Sequence, residues 1–198
     1  TFGASTPAMS DTHSTPSERI ILGIDPGSQV MGYGIICSRG REVKVLAVGV
    51  VELHKYDDLL VRMKRIFDRT LMLIDQYHPD ELSIEAPFYA KNVQSMLKLG
   101  RAQGTAIAAA LSRDIPVFEY APRKIKQSIT GQGNASKEQV ALMLQKILQV
   151  DAFTEKLDAT DGLAAALCHL YQYRPDNGLP SSRSWKDFIS KNPGRTRQ

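Results

Sequence analysis

Four carboxylates, Asp25, Glu85, Asp158 and Asp161, have the types and placement to form one oxygen-rich ion site. Asp25 closes the apolar run Ile20-Ile21-Leu22-Gly23-Ile24 and leads into Pro26-Gly27-Ser28, which sets it where a buried strand exits into a turn. Glu85 repeats that situation after Leu82-Ser83-Ile84. Asp158 and Asp161 stand three positions apart, so a helix would show both on one face. Hard cations such as Mg2+ take carboxylate and water oxygens, and acids delivered by two strand ends and one helix suit them. Phosphodiester hydrolysis requires a positioned water, neutralisation of a pentavalent transition state and stabilisation of a leaving alkoxide. Two divalent ions about 3.5 to 4 Å apart supply all three.

Each acid also has an ordinary reading. Strand-end acids serve as turn formers or solvated groups, while Asp158 could cap its helix and Asp161 complement the helix dipole. No Ser, Cys or His nucleophile motif competes for the chemistry. His169, two turns beyond Asp161, reads as a packed or partly exposed helix residue rather than a ligand. Cys37 and Cys168 lack metal-ligand spacing and lie in apolar segments, as small core residues do. Gly27, Gly32 and Gly34 read as backbone positions, because a tight turn beside a metal tolerates little side-chain bulk.

Charge is segregated along the chain. Residues 86–149 hold nine basic and three acidic side chains, a balance of +6, and residues 174–198 hold six and two, a balance of +4. The whole chain carries only +4, so the remainder, with the candidate ligands, is net acidic. A basic run is ordinarily a solvated helix face, yet cations around an acidic ion site are what phosphate-backbone cleavage needs.

Elements that could position these groups follow from pattern. Residues 20–25, 32–38 and 43–53 read as strands joined by short turns. Residues 57–77 read as a helix with Leu60, Met63, Phe67 and Ile74 on its apolar face. A strand over 81–85 precedes a long helix over 93–112, which carries Met96, Leu97, Ala108 and Leu111, with Gly100 and Gly104 allowing close approach. A fifth strand spans 117–120, and helical segments follow at 123–128, 137–148 and 158–173. Ser136 with Gln139 forms a capping-box pattern before the middle segment. This order predicts an α/β fold with a mixed sheet.

Three regions are expected: a disordered start over 1–18, a folded domain over 19–173, and a basic flexible tail over 174–198, in which Trp185, Phe188 and Ile189 could form a short docking helix. Met9 reads as the natural first residue, which makes residues 1–8 foreign to the native chain. A content of 42% hydrophobic residues in 198 suffices for a sizeable core, and no stretch approaches a membrane span. The start has no basic segment followed by an apolar signal region, so a cytoplasmic protein is expected.

The motifs Ile24-Asp25-Pro26-Gly27-Ser28, Gly32-Tyr33-Gly34, Ile84-Glu85 with Phe88-Tyr89-Ala90-Lys91-Asn92, Lys126-Gln127 with Thr130-Gly131-Gln132-Gly133, and Asp158-Ala159-Thr160-Asp161-Gly162-Leu163-Ala164 occur in that order. The ordered set resembles the RuvC family of bacterial Holliday-junction resolvases, part of the RNase H-like superfamily, over residues 19–173. The resemblance implies an RNase H-like mixed five-stranded sheet flanked by helices and a Mg2+-dependent crossover junction endodeoxyribonuclease. It implies two Mg2+ per site, with Mn2+ able to substitute, Asp25 bridging the ions and Glu85, Asp158 and Asp161 completing the coordination. Family variants place His where this chain has Asp158.

By the same resemblance Phe88 matches an aromatic that wedges against bases at the crossover, while Lys126 and Lys137 match basic residues near the scissile backbone. Lys91, Arg123 and Lys124 are further DNA-binding candidates, each with a solvated surface charge as its ordinary reading. Implied partners are four-way junction DNA, a second copy in a homodimer built partly on the helix over 93–112, and the RuvA and RuvB branch-migration proteins. Paired incisions in strands of like polarity, within a short T-rich sequence, would leave ligatable nicks. Two other classes stay open. The Asp25 turn is similar to the phosphate-binding hairpin of actin-like and sugar-kinase ATPases, although those use two related domains, and a non-catalytic junction-binding protein would share the basic surface.

Overall fold

Runs rich in Ile, Val and Leu, broken by glycines and bounded by turn residues, build a meander of strands from the first part of the chain. The structure, a computed structural model, describes residues 18–87, 92–150 and 157–173. Within them β1 (Glu18–Asp25), β2 (Val30–Arg39) and β3 (Glu42–Glu52) pair antiparallel, with Asp25 opposite Gly32. Helix α1 (Leu59–Tyr77) returns the chain so that β4 (Glu81–Glu85) pairs parallel with β1. Helix α2 (Val93–Leu111) does the same for β5 (Val117–Tyr120) beside β4. The sheet order is β3-β2-β1-β4-β5, the mixed five-stranded sheet that was expected. Because β1 and β4 run the same way with Ile24 beside Ile84, Asp25 and Glu85 leave the sheet at the same edge.

Helices cover both faces. On one face, Leu22, Ile24, Leu82 and Ile84 pack with Ile66 and Leu73 of α1 and with Ala102 and Ala106 of α2. Helices α3 (Pro122–Thr130), α4 (Lys137–Leu148) and α5 (Leu157–Gln172) close the other, where Ile21 and Ile36 meet Leu144, Leu163 and Leu167. Local signals set several helix ends: Asp58 caps α1 by accepting from the Leu60 amide, Pro122 opens α3, and Gly131 closes it at φ 77°. Ser136 and Gln139 form the capping box at the start of α4. No helix among the described residues is long and apolar enough to cross a membrane.

Two helix faces differ in part from expectation. Helix α1 buries Ile66, Thr70, Leu73 and the expected Ile74, and the expected Met63 packs against that core, whereas Leu60 is 73% exposed. Both stripes have helical spacing, and only docking on the sheet selects between them. Helix α2 buries Ala102, Gln103, Ala106, Ala109 and Ala110, so its small side chains face the core. Leu97, Ala108 and Leu111 point outward with Gly100 and Gly104, beside which nothing lies within 4 Å. Those glycines therefore allow no close approach to the sheet. Cys168 is buried and Cys37 partly so. The expected flexible tail, all but Glu18 of the expected disordered start, Phe88 and Lys91 lie outside the described residues.

Candidate metal centre

Strand β1 ends because Pro26 has no amide to continue the ladder, which leaves Asp25 at the sheet edge. Glu85 ends β4 one strand away, where the Ala86 amide donates to the Tyr120 carbonyl and completes the pairing with β5. Asp158 and Asp161 come from the start of α5, which crosses the sheet directly over the backbones of β1 and β2. Glycines permit this approach. A Cβ on Gly32 would lie 2.0 Å from the Asp158 carbonyl oxygen, one on Gly34 2.6 Å from the Leu163 nitrogen, and one on Gly23 2.1 Å from the Gly162 oxygen.

Gly32 and Gly34 are thus strand positions under a helix rather than members of a tight turn. Gly27 alone of the three expected glycines serves the turn, where a Cβ would meet the Val30 oxygen at 1.8 Å. Gly23 belongs to the helix-facing set and was hidden in the apolar run of β1. The period-2 alternation Gly23-Asp25 and Gly32-Gly34 is the signal that marks it.

The acids perturb one another. Asp25 is pushed up to about 7 by burial, with repulsion from Asp161 and Asp158 added. Glu85 is pushed up to about 8 by burial, then by the charges of Asp25 and Asp161. Burial also raises Asp161, against the pull of Lys137. The Lys137 ammonium lies 2.6 Å from Asp161 Oδ2 and 3.1 Å from Asp158 Oδ1. Burial disfavours its charge, yet hydrogen bonds to Asp161 and Asp158 hold it above the usual lysine range.

The fold therefore joins the four acids with Lys137 and Lys126, whose charge acts on Glu85 and Asp161. Arg123 is exposed and lies along Gly133, and the charge of Lys124 acts on Cys168 instead. His169 is fully buried on α5 with Glu81, Arg19 and Tyr120 as partners, in the packed role expected of it.

As arranged, no group of three or more His, Cys, Asp or Glu side chains among the described residues surrounds a single point as ion ligands. Two of the four acids are instead turned to Lys137. The donor chemistry nevertheless suits a hard divalent ion: four carboxylates, three of them with proton affinity raised by burial and by neighbouring acids, and a cation already drawn among them. Phosphate oxygens would find the lysines beside that ion.

The family model described as crossover junction endodeoxyribonuclease RuvC matches residues 21–169. A Porphyromonas gingivalis protein of that name is 55% identical over 92% of this chain and 100% of its own length. Its namesake from Cytophaga hutchinsonii is 54% identical over 91% of this chain and 89% of its own. The structure of T. thermophilus RuvC in complex with Holliday junction substrate matches with a TM-score of 0.72 at 31% identity, covering 77% of this chain and 93% of that one. A yeast mitochondrial Holliday junction resolvase, 17% identical with a TM-score of 0.57, shares the fold. With its motifs in order, an RNase H-like sheet that carries the acids to one edge, and relatives matched along nearly all their length, this chain belongs to the RuvC family.

Proposed function

We propose that the chain resolves four-way DNA junctions by paired, divalent-metal-dependent incision of the phosphodiester backbone. One observation carries this reading: β1, β4 and α5 bring Asp25, Glu85, Asp158 and Asp161 to one sheet edge, beside Lys126 and Lys137, in a chain of this family. Mg2+ is the proposed ion, two per site, with Mn2+ as a substitute. When bound, the ions supply Lewis acidity and counter-charge to the scissile phosphate. Asp25, Glu85, Asp158 and Asp161 are the residues that would hold them.

Lys137, which lies on one oxygen of Asp158 and one of Asp161, would stand beside the ions where its ammonium could meet a phosphate oxygen. Lys126 adds a second cation on the same side. The exposed Arg123 on α3 extends the basic surface, and Lys124, Phe88 and Lys91 are assigned to DNA on family resemblance, Phe88 as the wedge between bases.

A homodimer is supported by the outward face of α2, where Val93, Leu97 and Leu111 are exposed around the open Gly100 and Gly104. A two-fold pair would present two sites to a junction with its own approximate symmetry. RuvA and RuvB are proposed as partners on the same resemblance, and the cytoplasmic location and the division into residues 1–18, 19–173 and 174–198 are carried forward from the reading of the sequence.

Incubation with a synthetic four-way junction tests the reading. Symmetric nicks that need Mg2+ and vanish in Asp25→Asn, with junction binding retained, are the expected result. Binding without cleavage would favour the junction-binding alternative, and ATP hydrolysis without cleavage the ATPase one.

A further inference from the structure

Helix α5 crosses the sheet in the sense opposite to β4, and two pairs of polar groups meet where its later turns pass over that strand. At the sheet edge the charge of Asp161 acts on Glu85. One turn along, the buried Ser83 hydroxyl donates to the Ala165 carbonyl at 2.7 Å. One turn further, His169 Nε2 lies 3.2 Å from Glu81 Oε2. Helix positions 165 and 169 thus face strand positions 83 and 81. Four helical residues rise about 6 Å, and two strand residues about 6.6 Å, so the two spacings match across that step.

The foot of this ladder is held from three strands. His169 is fully buried. Its Nδ1 lies 2.7 Å from Tyr120 Oη of β5, and its Nε2 3.1 Å from Arg19 Nη2 of β1. Arg19 also donates from Nε to Glu81 at 2.6 Å and from Nη1 to the Tyr173 carbonyl at 3.0 Å. Hydrogen bonds from His169 and Arg19 hold Glu81 below the usual carboxylate range although burial works the other way. Phe118 and Tyr173 pack on the imidazole with centroids 4.3 and 5.2 Å away.

Such directional contacts add to what apolar packing supplies. The buried Leu163 and Leu167 and the seat on Gly23, Gly32 and Gly34 hold α5 against the sheet, while the buried Ala164, Ala165 and Ala166 contribute only small side chains to its axial placement. Hydrogen bonds with one donor and one acceptor each permit a single axial position, because a slip would leave buried polar groups unpaired.

We propose that Ser83, Glu81 and His169 are positioning residues that set the axial register of α5, and so the placement of Asp158 and Asp161 against Asp25 and Glu85. Two of the four acids ride on α5 and two on the sheet, so any slip moves one pair past the other. Ion ligation tolerates errors of only about 0.2 Å. The proposal rests on the metal-centre reading.

Ser83→Ala, Glu81→Ala and Glu81→Gln test it, with three measurements: Mn2+ affinity by electron paramagnetic resonance, thermal unfolding, and the position of α5 against β4 in crystals. Both alanine variants are expected to stay folded, to weaken Mn2+ binding about tenfold, and to show α5 displaced along its axis. Glu81→Gln, which keeps an acceptor for its partners, should recover most of the affinity. Unchanged affinity with α5 in place would overturn the proposal, as would equal losses in Glu81→Gln and Glu81→Ala. If Glu81→Ala fails to fold, Ser83→Ala, which removes one hydroxyl, still decides. Mn2+ binding that survives Asp25→Asn would reject the metal centre itself, and the position of α5 in Ser83→Ala would then decide the register on its own.

Discussion

Lys137 Nζ sits 2.6 Å from Asp161 Oδ2, among the acids assigned to the metal. An ammonium and a divalent ion compete for the same oxygens, and the loss of this partly exposed cation should tighten ion binding. Lys137→Met is expected to raise Mn2+ affinity about two- to fivefold while slowing junction cleavage, because the donor to the phosphate is gone. Titration by electron paramagnetic resonance and single-turnover cleavage measure the two effects. Equal affinity would show that Lys137 does not contest the ion.

Asp25→Asn and Glu85→Gln should each abolish cleavage and leave junction binding intact, since they alter the charge of the ion site and not the basic surface. Both variants should also melt higher than the parent chain at alkaline pH without metal, because repulsion among buried acids is relieved. Turnover near the parent rate in either variant would remove that residue from the centre.

The raised carboxyls predict a pH dependence with a definite sign. Asp25 and Glu85 hold protons up to about 7 and about 8 when folded, but release them in the ordinary carboxylate range when unfolded. Over that window the folded state binds more protons, so stability of the metal-free protein falls as pH rises and levels off above it. A melting series from about pH 5 to about pH 9 should show this decline, and Mg2+ should reverse it, with ion affinity increasing across the same range as protons are displaced. The Asp25→Asn/Glu85→Gln pair should flatten the profile.

Gly32→Ala is expected to destabilise the fold by at least about 1 to 3 kcal/mol, because its Cβ would meet the Asp158 carbonyl oxygen at 2.0 Å. Relief can come only by lifting α5, so cleavage should fall along with the melting temperature. A variant with normal stability and activity would mean that α5 does not need its close seat on β2.

Leu97→Asp combined with Leu111→Asp should convert the proposed dimer into a folded monomer, because both side chains point outward from α2. Sedimentation measures the mass, and circular dichroism checks the fold. A variant that sediments as the parent does would place the interface elsewhere.

Local chemistry wrote much of this architecture into the sequence. The strand ends at Asp25 and Glu85, the capping box of Ser136 and Gln139, and the turn at Gly27 all depend on residues within a few positions, where periodicity and backbone preference act. The ordered motifs also carried the family and its sheet. Tertiary structure alone decided which stripe of α1 and of α2 faces the core, because rival stripes share the helical period. It alone set Lys137 on Asp161 across 24 positions and His169 on Glu81 across 88. Such pairings arise from sheet register and the seating of α5 on Gly23, Gly32 and Gly34, which no local window of sequence contains.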